Sequence, residues 1–247
     1  MLALLALVAA AAAPDAATLQ QGWEAYRPAL DARAKYPFRL DAAAWAELAQ
    51  GRVYRRRDRL DGTDRVLGVR WIAADLDTTW VAVQDPHGDD YVDGYVHEEL
   101  PGSTFQQRLL YQRIALPWPL QARQWVILVQ NNLGLIGQTQ GAVWERTWDL
   151  SDRRGAKAED PKAVWLPVNE GGWFLARVGG GTLLGYHVRT SVGGVVPDEA
   201  AVRWSFSTLT KMLERIAGRT GWVREHYTGD HAPLRRPDGT EIDRFGG

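Results

Sequence analysis

Two arginines, Arg113 and Arg146, stand in strand-like runs whose neighbours are largely apolar or aromatic. A guanidinium is costly to bury without a partner, so an arginine on an apolar face is not explained by packing alone. Tyr111, Trp125, Ile127, Trp144, Trp148 and Tyr186 fall in runs of the same kind. The chemistry this set suits is recognition: an apolar and aromatic wall for a greasy molecule, with one or two cations to orient a head group or hydroxyl.

Bond-making chemistry has less to rest on. Ser–His–Asp catalysis needs a serine on a sharp turn, and the sequence has no Gly-x-Ser-x-Gly. Gly179–Gly181 lacks the downstream lysine of a phosphate cradle. His226, Asp230 and His231 lie close together, but in a polar stretch where a loose tail is expected. His187 falls mid-strand, as an ordinary core or surface histidine does, and His97 sits beside Glu98 and Glu99 in a long acidic loop. Asp85, Asp89, Asp90 and Asp93 lack the spacing and the terminal glutamate of a calcium loop. The chain has no cysteine, which excludes disulfides, thiolate metal ligands and cysteine nucleophiles. No catalytic residue, metal ligand or cofactor is therefore assigned.

A chain of 247 residues suits one large domain with extensions. A net charge of −1 gives no general attraction to nucleic acid, and none is expected as a partner. Twelve tryptophans call for a wide core or an aromatic pocket. Residues 1–17 read as a secretory signal: the apolar run 2–13 is too short to span a bilayer, and small residues follow it, with cut sites after Ala13, Ala16 or Ala17. The expected location is periplasmic or secreted.

The elements that must position these residues follow from periodicity. A helical extension interrupted by Pro28 is expected over 18–40, and Asp41 caps a short helix over 42–50. Strands are expected over 52–60 and 66–74, and a capped helix over 77–84. Residues 109–132 read as strand, proline-blocked turn (Pro117, Pro119) and an Arg-led strand. A Gly-containing turn over 134–141 precedes a strand over 142–150, in which Trp144, Arg146 and Trp148 share one face. Strands over 163–168, 172–177 and 182–191 lead to a Gly193–Gly194 break. A helix over 197–218 then carries Val202, Phe206, Leu209, Leu213 and Ile216 as one apolar stripe. Residues 225–247 read as a loose polar tail.

The order and three stretches resemble the START-like domains of the helix-grip superfamily, which includes lipid-transfer proteins and polyketide cyclases. The stretches are residues 71–83, 110–129 and 186–213, the last with Gly193, Gly194 and Pro197. The resemblance covers roughly residues 45–222 and places the domain at 41–224. It implies an α+β helix-grip fold, a curved antiparallel sheet wrapped around a long C-terminal helix. It also implies that a lipid or other hydrophobic small molecule is bound, and can be transferred, in a tunnel between sheet and helix, without a cofactor. The tunnel wall would be Tyr111, Arg113, Trp125, Ile127, Trp144, Arg146, Trp148 and Tyr186, with Phe206, Leu209, Leu213 and Ile216 as its lid. A monomer making transient membrane contact is expected. The alternative within the superfamily is a cyclase/aromatase-like or hydrolytic enzyme using the same pocket. In one respect the sequence departs from the family: the strand block often reads Arg-Asp, and here Arg123 is followed by Gln124.

Overall fold

The computed structural model describes residues 12–84, 95–116, 120–191, 198–228, 231–242 and 245, with only the backbone for 198–205. Residues 1–11 of the leader, Asp85, Asp89, Asp90 and Asp93, Pro117 and Pro119, the Gly193–Gly194 break, the Val202 side chain and Asp230 lie outside the described residues.

Short helices come first: α1 (Ala16–Glu24), α2 (Arg27–Arg33) and α3 (Ala42–Ala49). Strands β1 (Tyr54–Leu60) and β2 (Thr63–Ile72) lead to α4 (Leu76–Gln84). Next are β3 (Val96–Glu99), β4 (Gln107–Ile114), β5 (Arg123–Asn131), α5 (Leu133–Gln138) and β6 (Val143–Leu150). The chain continues through β7 (Val164–Trp165), β8 (Val168–Val178) and β9 (Gly181–Ser191) to α6 (Asp198–His226). The strands form one open sheet in the order β1-β2-β9-β8-β6-β5-β4-β3, antiparallel except where β7 joins β5 in parallel. This is the expected α+β, helix-grip arrangement. No helix of the described residues is long and apolar enough to cross a membrane.

Local chemistry sets most boundaries. Pro28 divides the N-terminal helix by occupying the first turn of α2, where its missing N–H goes unused. The side chains of Asp15 and Asp41 cap α1 and α3, each accepting a backbone N–H at 2.8 Å. Asp75 caps α4 by accepting from Thr78 N at 2.7 Å. The expected turn at 134–141 instead holds α5, capped by Asn132. Gly171 and Gly172 do not interrupt β8, so it runs eleven residues. A Cβ on Gly171 would lie 2.3 Å from the His187 carbonyl oxygen and 2.4 Å from the Trp148 ring, so this glycine serves close approach, not a turn. Helix α6 continues through Gly218 and Gly221 to His226.

The sheet buries both faces. On its outer face, Leu67, Trp71, Phe174 and Leu183 pack against Leu19, Trp23, Trp45 and Leu48 of the N-terminal helices. Trp23 lies edge-on to Phe174 at 5.0 Å and stacks on Phe38 at 5.1 Å. Buried Glu145 ties this layer together by accepting from Lys35 N and, at 2.6 Å, from Asn132 Nδ2. On the inner face, Leu209, Leu213 and Ile216 of α6 meet Val66, Ile72, Leu184 and the α4 residues Trp80 and Val81.

The C-terminal segment, expected to be loose, is anchored over 231–242. Arg236 grips both oxygens of Asp77 at 2.8 and 2.7 Å, and Trp80 Nε1 donates to the Arg235 carbonyl at 2.9 Å. Asn131 Nδ2 donates to the Pro237 carbonyl at 3.0 Å, and Ile242 is buried. These contacts join residues distant in sequence, so the segment's polar composition does not reveal them.

His187 faces outward from β9, buried and edge-on to Tyr36 at 4.9 Å. Burial, with the charges of Arg65 and Lys35, lowers its pKa from 6.5 to about 3. The unfolded chain takes up this proton below about pH 6.5 while the folded chain does not until about pH 3. His187 therefore makes stability fall as pH drops through that window. Urea unfolding between these limits should show a His187 component of up to ~1.4 kcal/mol per pH unit, and His187→Gln should remove it. An unchanged pH slope in the variant would refute the assignment.

Candidate functional site: a cavity under the C-terminal helix

A cavity of about 400 Å³ lies between the inner face of the sheet and α6. This is toward the small end of ligand pockets, which run roughly 300–1,000 Å³. Strand alternation builds its wall. Leu110 and Gln112 of β4 stand opposite Ile127 and Trp125 of β5, and Val129 stands opposite Trp148 of β6. Trp173 and Tyr186 continue the wall across β8 and β9, and Leu209 and Met212 of α6 roof it.

The aromatic rings present their apolar surfaces because their polar edges are satisfied within the wall. Trp125 Nε1 donates to Gln112 Oε1 at 2.7 Å, and Trp148 Nε1 to Asn169 Oδ1 at 3.1 Å. Tyr186 sits 5.5 Å from Trp148 and 4.6 Å edge-on to Trp173. Gly171 leaves the space that the Trp148 ring occupies. The roof depends on Gly68 in the same way, because a Cβ there would lie 2.7 Å from Leu209.

Polar groups mark the two ends of β5. At its start, Arg123 is buried and donates to the Gln121 carbonyl at 2.6 Å. Near its end, Arg146 stands opposite Asn131 and is 9% exposed. Arg146 donates to Gln84 Oε1, and its guanidinium lies 5.6 Å from the Trp80 ring. Burial, then the nearby charge of Arg108, lowers its pKa to about 10, so it stays cationic at neutral pH. Beyond Arg146 opens a polar cleft of about 610 Å³ that shares Gln84, Arg108 and Arg146 with the cavity.

Of the twelve expected wall and lid residues, Trp125, Ile127, Arg146, Trp148, Tyr186 and Leu209 come together on this cavity. Trp144 shares their face but packs edge-on to Trp80 at 5.9 Å and donates to the Gly141 carbonyl. Phe206, Leu213 and Ile216 belong to the packing between α6, the sheet and α4. Tyr111 and Arg113 point to the outer face, because the odd positions of β4 face away from the cavity. There Tyr111 donates at 3.0 Å to Gln124 Oε1 and the Ala158 carbonyl, and Arg113 pairs with Asp160 at 3.2 Å. Gln124, in place of the family's usual aspartate, is also on the outer face. It accepts from Asp160 N at 3.1 Å and donates to the Asp160 and Ala163 carbonyls, fastening the loop after β6. Sequence reasoning missed Trp173, Gln112, Met212, Gln84 and Arg108. Trp173, inside the expected strand 172–177, was readable as a partner of Tyr186 once Gly171 is taken as strand interior.

Protein-family models return no match to the sequence, and no curated protein is significantly similar to it. Solved structures do match in fold. Human STARD10 aligns with a TM-score of 0.58 at 12% identity, over 89% of this chain and 86% of that one. A STAR-related lipid transfer protein from Xanthomonas axonopodis aligns at 0.55 and 18% identity, over 70% and 95%. Human StAR-related lipid transfer protein 5 aligns at 0.55 and 14%, over 69% and 82%. The chain therefore has the START-type helix-grip fold.

The seat of the roof helix is testable. Gly68→Ala should destabilise the protein by about 1–3 kcal/mol through overpacking against Leu209. Combining it with Leu209→Ala should cost less than the sum of the two single changes, as read by urea unfolding; strict additivity would show that Gly68 does not seat α6.

Proposed function

We propose that this protein binds a lipid or other hydrophobic small molecule in the cavity beneath α6 and carries it without transforming it. The observation behind this reading is a wall whose indole N–H groups are already bonded to Gln112 and Asn169, which leaves aromatic and aliphatic surface facing an internal space. Burying apolar ligand surface contributes about 25 cal/mol per Å² gross, so a guest is held without a cofactor. The fold is that of proteins described as lipid-transfer proteins, which supports the same reading. Among the described residues lining the cavity there is no aspartate, glutamate or histidine, which favours carriage over a cyclase-like or hydrolytic reaction. Loading and release need α6 or the adjoining loops to open, during transient contact of a monomer with a membrane.

Native mass spectrometry after mild extraction should find a stoichiometric apolar guest. Met212→Trp, which fills the cavity from its roof, should lower the bound fraction several-fold while the protein stays folded. An empty protein that turns over an ester or thioester panel would overturn carriage in favour of catalysis.

We also propose export by the N-terminal leader, with cleavage before Asp15. That position leaves Asp15 to cap α1, whose Leu19 and Trp23 are fully buried. Expressed in a Gram-negative host, the protein should appear in the periplasmic fraction with a new N-terminus ahead of Asp15. An uncut cytoplasmic product would refute the export proposal.

A further inference from the structure

We infer, resting on the binding role proposed above, that the guest is a single-chain amphiphile with an anionic head, a carboxylate or phosphate, held at Arg146 and Arg108. The argument starts from Arg146. It is nine-tenths buried at the junction of the apolar cavity and the polar cleft, and it lines both. A guanidinium has five N–H donors. Here the neutral Gln84 carbonyl accepts from it and Trp80 lies alongside, but among the described residues no carboxylate pairs with it. A buried cation left in this state is costly, and an arriving anion relieves the cost.

The surrounding charges point the same way. Arg108 gives both Nε and Nη2 to Glu99 Oε2, at 3.1 and 2.5 Å. Among the described residues the junction thus holds two guanidiniums and one carboxylate, a local excess of one positive charge. Arg235, on the far wall of the polar cleft, is paired with Glu241 at 3.2 Å and adds no further excess. A sterol hydroxyl would leave the excess unneutralised, and a zwitterionic head would bring a second cation to it. A single anion matches it, through charge-assisted hydrogen bonds of the kind that arginine makes to carboxylate and phosphate.

The size of the space sets the number of chains. A volume of about 400 Å³ is toward the small end of ligand pockets, which is room for one hydrocarbon chain and not for the two of a diacyl lipid. The tail then lies along Trp125, Ile127 and Trp148, and the head faces the polar cleft with Ser103 and Thr104 nearby.

The test uses the full chain, stripped of lipid, titrated with 11-dansylaminoundecanoic acid and with its methyl ester. The acid should bind at least about tenfold tighter than the ester at low salt. Arg146→Gln should collapse that preference, weakening the acid at least several-fold more than the ester. Palmitate or lysophosphatidate should displace the acid, the better competitor telling carboxylate from phosphate, whereas hexadecanol should do so only at severalfold higher concentration. Equal binding of acid and ester would overturn the anion assignment and leave the apolar-guest reading standing; binding of neither would overturn both. Displacement by dipalmitoyl phosphatidate as good as that by lysophosphatidate would overturn the single chain. Should Arg146→Gln fail to fold, the half-exposed Arg108→Gln decides: it should weaken acid binding several-fold more than ester binding, and an unchanged ratio of the two affinities would overturn the inference.

Discussion

Helix α6 can lie on the sheet because position 68 has no side chain. With Gly68 beneath it, Leu209 reaches the backbone of β2, and Leu213 and Ile216 close on Val66, Ile72 and Leu184. That contact fixes the height of the helix above the sheet at one end. Farther along the sheet, toward β5 and β4, the facing side chains do not fill the gap, and the cavity is what remains. A second contact without a side chain, Gly171 beneath Trp148, keeps a large indole flat against the wall. Close backbone approach in two places thus defines both a roof and a floor.

The sheet is also a divider. Period-two alternation sends Trp125, Ile127, Arg146 and Trp148 to one side and Gln124, Glu145 and Tyr111 to the other. The outer side is a packed layer in which buried Glu145 and Gln124 find partners. Glu145 accepts from Lys35 N and Asn132, and Gln124 binds the loop after β6. The inner side keeps its polar groups at the cavity's edges. Gln112 and Asn169 are spent on indole N–H groups, and Arg146 stands at the boundary with the polar cleft. Neighbouring residues of one strand, Glu145 and Arg146, therefore serve different layers and never meet as an ion pair.

The C-terminal segment adds to this frame. Arg236 on Asp77 and the Arg235 carbonyl under Trp80 fasten the segment to α4, and α4 supplies Gln84 and Trp80 to Arg146. The polar cleft is thus bounded by residues from both ends of the domain, Trp80 and Val81 on one side, Leu234 and Arg235 on the other.

Much of the fold was legible in the sequence because its signals are local. Asp41 announces a helix start, Pro28 splits a helix, and alternation marks β6; the apolar stripe of α6 showed that it must cover the sheet. Half of the candidate site followed from the same alternation, with Trp125, Ile127, Trp148, Tyr186 and Leu209 falling on the cavity beside Arg146. What failed were features whose meaning lies in a partner far along the chain. Gly171 looks like part of a turn until the His187 carbonyl and the Trp148 ring are seen pressed against it. Tyr111 and Arg113 look like wall residues until the pairing of Gln112 with Trp125 fixes the parity of β4. The polar tail looks loose until Asp77 and Trp80 receive it. By itself the sequence determined where most elements lie and that α6 carries an apolar stripe, because side-chain period and capping are properties of neighbouring residues. Only the tertiary structure decided which arginine stands at the cavity, because that depends on strand register and on how closely α6 approaches β2.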